Sequence, residues 1–102
     1  PREALMTRGL LLEELNWLGE GRLEDAAAKS ARVLIRVRST RPPVPGRLGL
    51  EDGVPAVFFD GPEEGVGRGK AAVLYDPDGS TRILGGASIA RALPADERVA
   101  LA

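Results

Sequence analysis

The sequence predicts an all-β fold, a small β-barrel or sandwich of about six mostly antiparallel strands with one short helical turn near residues 23–30. Two observations carry this reading. Turn signals recur at short intervals: "LGEGR" at 18–22, "RPPVPG" at 41–46, "EDG" at 51–53, "DGPEEGVGRG" at 60–69 and "DPDGS" at 76–80. Between them lie short apolar runs, and the clearest of these alternates with the period of two that a half-buried strand requires.

Taken in chain order, "LLLEELNWL" (10–18) is open to two readings. It is either a helix with Leu11, Leu15 and Leu18 on one side or a buried strand leading into Trp17. "LEDAAAKSA" (23–31) has high helix propensity, with Asp25 as a candidate N-cap, and predicts the short helical turn. "RVLIRVR" (32–38) places Val33, Ile35 and Val37 on one face and Leu34, Arg36 and Arg38 on the other, which predicts a strand with a cationic outer face. "VPAVFFD" (54–60), "AAVLYD" (71–76) and "STRILGG" (80–86) read as strands. Pro77, Asp78 and Gly79 join the last two in a hairpin. The closing "PADERVALA" carries no strand signal and is expected to fray. With no internal repeat or linker, 1–102 is expected to be a single domain, and an initial Pro in place of Met points to an excised piece of a longer protein.

Composition narrows the function classes. A 43% hydrophobic and 28% charged chain is typical of a soluble globule, and no apolar run approaches the roughly 20 residues of a membrane helix. Absence of Cys and His removes thiolate metal sites, disulfides, the commonest metal ligand and the usual general base near neutral pH. Catalysis would have to rest on carboxylates, Lys or Tyr, which argues against an autonomous enzyme. The net charge of −1 conceals a local asymmetry: Lys29, Arg32, Arg36, Arg38, Arg41 and Arg47 fall between Ala26 and Leu50, where no acid occurs.

"GVGRGK" (65–70) looks like a phosphate-gripping loop but fails both nucleotide fingerprints. Its glycines precede a strand instead of following one into a helix, and Glu64 and Ala71 fill the Walker positions that need Gly and Ser or Thr. The plainer reading is a glycine-rich irregular connection. Glu63 with Glu64, and Asp76 with Asp78, read as solvated turn chemistry, because paired catalytic carboxylates need environments that separate their pKa values. Tyr75 reads as a strand residue with its hydroxyl at a rim, and neither it nor Ser88 has a neighbouring base. Arg36, Arg38 and Arg41, on a strand and its Pro-constrained exit, suit phosphate tracking; the competing reading is a solvated face whose arginines pair with acids elsewhere. Four aromatic residues, Trp17, Phe58, Phe59 and Tyr75, are too few for single-strand recognition by stacking.

Several segments in order, "LLLEELNWLG", "VRSTRPPVPGRL", "VFFDGPEEGVGRGKAAVLYD" and "RILGGASIARAL", resemble the C-terminal β-barrel domain of bacterial tRNA-specific 2-thiouridylases. Asn16 and Trp17, Arg36 and Arg38, Phe59, Asp60 and Pro62, Val73 and Tyr75, and Leu84, Gly85, Gly86 and Ile89 match that pattern, which runs from about Thr7 to Leu93. The resemblance implies a barrel that is a non-catalytic, cytoplasmic, tRNA-binding accessory domain. It needs no cofactor of its own, while ATP-dependent sulfur transfer belongs to the parent enzyme's catalytic and central domains; neither membrane nor DNA is an expected partner. It also implies that Arg36 and Val37 approach tRNA, with Arg38 beside them, and that Lys70 stands where relatives present a tRNA-contacting Gln. Arg41 and Arg68 complete the expected RNA-binding set. Lys70 keeps a donor but loses the amide's acceptor, and Ala87 replaces a family glycine, so a positive φ there would strain the backbone. The alternative is a structural or protein-interaction barrel that packs on a catalytic domain or self-associates. A small carboxylate hydrolase is the third reading and would need two buried carboxylates in one pocket.

Overall fold

A computed structural model describes residues 6–37, 42–64 and 70–94. The elements are β1 (Met6–Trp17), α1 (Leu23–Ala28), β2 (Arg32–Arg36), β3 (Val44–Glu51), β4 (Val54–Glu64), β5 (Ala71–Asp76) and β6 (Gly79–Pro94). The strands close into an antiparallel barrel in the order β1-β4-β3-β2-β5-β6, with β6 returning to β1. Closure leaves no free sheet edge among the described strands, and it buries one face of each of them.

The ambiguous 10–18 segment is strand. Leu10 and Leu12 are fully buried, whereas the helical set Leu11, Leu15 and Leu18 is not. Its pattern was unclear because β1 is broken by a bulge: the register with β6 shifts between Glu13 and Asn16, and Glu14 sits at φ 55. β2 alternates as expected, with Val33 and Ile35 at 1% exposure and Arg32, Leu34 and Arg36 outside. β5 and β6 form the expected hairpin, and the Asp78 N–H donates to Asp76 Oδ1 at 2.8 Å in an Asx turn. Asp52 at φ 52 and Gly53 at φ 83 make the two-residue loop between β3 and β4, where both residues need left-handed backbone and Asp-Gly supplies it.

Three expectations are corrected. "RPPVPG" is not wholly a turn, because β3 starts at Val44 and takes in Pro45 and Gly46, paired to β2 on one side and β4 on the other. Asp25 is not the N-cap: Arg22 holds that place without a side-chain cap, and Asp25 lies in the first turn, where its charge still favours the helix dipole. Ala87 is not among the residues at positive φ, so the condition under which it would strain the backbone is not met.

The core is made by inward residues of all six strands, including Leu10, Val33, Leu48, Val57, Leu74 and Ile89, with Ala27 of α1 added from one end. α1 stops in a Schellman arrangement: Ser30 N–H donates to the Ala27 carbonyl and Ala31 N–H to the Ala26 carbonyl, both at 3.0 Å, with Ser30 at φ 52. The Ala31 carbonyl then accepts from Leu48 N–H at 2.9 Å, which ties the helix to β3. No helix among the described residues is long and apolar enough to cross a membrane.

Candidate nucleic-acid interface

Antiparallel closure sorts the connections onto two ends of the barrel. One end holds the 18–22 turn, α1, the Asp52–Gly53 loop and the β5–β6 turn. The other holds the beginning of β1, the end of β6, the exit from β2 and the entry to β5. The β2–β3 and β4–β5 connections, which carry the basic residues singled out above, are therefore anchored at the same end by Val37, Pro42 and Lys70.

Arg36 is the last residue of β2, half-buried and opposite Val73 of β5. Val37 follows it, and its side chain packs against the core cluster, so its main chain is the part available to a ligand. Lys70 is exposed immediately before β5, and its carbonyl accepts from Ile89 N–H at 2.8 Å, which fixes the backbone from which its side chain projects. The strand pairing puts Arg36 and Lys70 about three residues apart along adjacent strands, roughly 10 Å. Arg38, Arg41 and Arg68 lie outside the described residues.

The opposite end is acidic. Glu20, Glu24, Asp25, Glu51, Asp52, Asp76 and Asp78 stand there against Arg22, Lys29 and Arg82. Two of those cations are already engaged, Arg22 with Glu24 at 3.6 Å and Arg82 with Asp76 at 3.5 Å. Asp76 thus caps its own turn and holds Arg82, as turn chemistry predicts. Glu63 and Glu64, expected in a turn, instead end β4 at the other end, among Arg8, Arg36, Lys70 and Arg91, so a polyanion is repelled most strongly at the acidic end.

The outer face of β2 is divided in the same sense. Arg32 reaches across β3 to Asp60 of β4 in a two-pronged pair, Nη1 to Oδ1 at 3.0 Å with Nη2 on Oδ2. The hydrogen bond from Arg32 lowers the Asp60 pKa; desolvation opposes it, and the charges of Arg32 and Arg47 add to the lowering. The same carboxylate raises the Arg32 pKa. Arg47 stands directly opposite Arg32 in the β2–β3 register, and Asp60 offsets this like-charge pairing. So the pairing expected of a solvated basic face holds at Arg32. Among the described residues no group of three potential ligands assembles a metal site.

Sequence reading passed over Arg91. It is exposed on β6, the strand whose Ile89 holds the Lys70 carbonyl, and only the β5–β6 pairing reveals that closeness.

Comparison with known proteins agrees with this architecture. Residues 7–89 match the family model described as the aminomethyltransferase beta-barrel domain. The chain is 83% identical over its whole length to the tRNA-specific 2-thiouridylase MnmA of Hyphomonas neptunium, covering 26% of that protein. It is 59% identical over 88% of its length to the MnmA of Caulobacter vibrioides, covering 24% of it, and 49% identical over 98% to that of Xanthobacter autotrophicus, covering 25%. The chain therefore spans about a quarter of the curated relatives it matches. A closed six-stranded barrel and a family match over most of the chain lead to one conclusion: the chain belongs to the aminomethyltransferase beta-barrel domain family.

Proposed function

We propose that this barrel is the non-catalytic, tRNA-binding part of a wobble-uridine 2-thiouridylase, gripping the RNA backbone while other domains carry out ATP-dependent sulfur transfer. The relatives' name supplies the substrate class. The observation that carries the reading is the placement of Arg36 and Lys70 at one end of the barrel, together with both anchored basic connections, away from the acidic end. Phosphate contact by such cations adds affinity through counterion release and reads no bases. Val37 contributes main-chain contact, and Arg38, Arg41 and Arg68 extend the set. ATP, the catalytic and central domains and the cytoplasmic setting belong to the parent enzyme in this reading.

Titrating the chain with tRNA at 50 and 200 mM salt tests it. Five phosphate contacts give a log–log slope near −3.5 to −4.5, so affinity should fall by roughly 130- to 500-fold across that interval. Changing Arg36 and Lys70 together to Gln should remove about two-fifths of the slope. No binding at low salt, or binding indifferent to salt, would defeat the proposal. Absolute affinity of the isolated barrel will be modest, because it lacks the avidity of its neighbours.

A second reading, a docking barrel, is favoured by one observation. Leu18 and Ile83 are 56% and 48% exposed beside a groove of about 520 Å³ between Trp17, α1 and the β5–β6 turn. If docking to the parent's other domains is the whole role, Arg36→Gln with Arg38→Gln leaves that association intact and RNA binding by the chain is not observed.

A further inference from the structure

The positive surface continues from Lys70 onto the flank of the barrel. Past Ile89, which bonds the Lys70 carbonyl, β6 runs on to Pro94, whereas β5 begins only at Ala71. Arg91 therefore stands two residues beyond the partner of Lys70, about 7 Å along the strand. It is exposed and lies opposite Leu11 of β1. Neither Lys70 nor Arg91 has a side-chain hydrogen bond or ion pair among the described residues, in contrast to Arg22, Arg32 and Arg82 with their carboxylates. By register a nearby carboxylate, Glu13, faces Ser88, three residues back along β6. We infer that Arg91 is a further phosphate contact, so that the RNA backbone crosses from the loop end at Lys70 onto the outer face of β6. This rests on the tRNA-binding reading and adds a direction to it: from Lys70 the RNA passes the start of β5 and runs along the last residues of β6, where that strand pairs with β1.

The test compares Arg91→Gln, Arg91→Lys and Lys29→Gln with the unchanged chain, each titrated with total tRNA at 50 and 200 mM salt. Arg91 is exposed, so substitution there should leave the melting profile near that of the parent chain. Loss of one phosphate contact lowers the magnitude of the slope by about 0.7–0.9, and the Gln variant should then lose roughly 3-fold less affinity across the fourfold salt interval. Arg91→Lys retains the cation and keeps the slope. Lys29→Gln, at the acidic end, leaves it unchanged. A Gln variant with the parent slope overturns the assignment of Arg91 while the tRNA reading stands. A parent chain without salt dependence defeats both.

Discussion

Gly46 offers the most searching test of the packing. An added Cβ would lie 2.5 Å from the Phe58 carbonyl oxygen and 2.6 Å from Ile35 Cδ1. The first atom is backbone of the neighbouring strand, so no rotamer change relieves Gly46→Ala: β3 and β4 must separate, and Ile35 must shift as well. Overpacking of this kind costs about 1–3 kcal/mol, and involvement of backbone puts it at the upper end, about 3 kcal/mol. At about 4–8 °C per kcal/mol for a domain of this size, the melting temperature should fall by roughly 12–24 °C. Gly61→Ala is the matched control: nothing lies within 4 Å of its added Cβ, and its backbone is not left-handed, so its melt should stay within about 0.5 kcal/mol of the parent. Thermal melts followed by circular dichroism decide the matter. A drop for Gly46→Ala no larger than that of Gly61→Ala would refute the close approach of β3 and β4.

Other consequences follow from single features. Because the folded pKa of Asp60 is depressed, its contribution is present above the unfolded carboxylate pKa of 3.8 and disappears as pH falls through the lower folded value. Asp60→Asn should therefore be less stable than the parent at neutral pH and converge with it in acid, as chemical denaturation across pH 2–7 will show. Ser30 occupies the left-handed C′ position of α1, so Ser30→Gly should raise stability by about 0.5–1 kcal/mol, read as a higher melting temperature. Leu74 is fully buried, and Leu74→Ala should cost about 2–5 kcal/mol in urea titration; a cost below about 1 kcal/mol would contradict its place in the core.

Much of the barrel was legible because local pattern and tertiary demand agree. Val33 and Ile35 alternate with Arg32, Leu34 and Arg36, and both Asp-Gly at 52–53 and Pro-Asp-Gly at 77–79 are turns for backbone reasons. Illegible parts are those whose cause lies elsewhere in the chain. β3 contains Pro45, Gly46 and Gly49 and lacks strand propensity, yet it is held by ladders on both sides. Tertiary context overrides local preference there. β1 hid its period behind the bulge at Glu14. The candidate interface was half visible. Arg36 and Lys70 were named from residues and resemblance, but that they share one end depends on β2 pairing with β5 across a large gap in sequence. Arg91 depends on the β5–β6 ladder in the same way.

A net charge of −1 does not oppose RNA binding, because the two ends of the barrel are electrically separate under ordinary conditions. From Lys70 to Asp76 is six residues of extended chain, about 20 Å. At physiological ionic strength the Debye length is about 8 Å, so RNA seated at Lys70 hardly senses the carboxylates near Asp76. At 0.01 M salt that length grows to about 30 Å, longer than the separation, and the acidic end begins to repel the ligand. The gain in affinity on dilution should then fall short of the straight line set by counterion release, with the deficit growing below about 0.05 M. Glu20→Gln combined with Asp25→Asn, both exposed at the acidic end, should restore the steeper line at low salt and change nothing near 0.15 M. Equal effects of that double substitution at both salt concentrations would mean that the ends are not separated in the way the strand register requires.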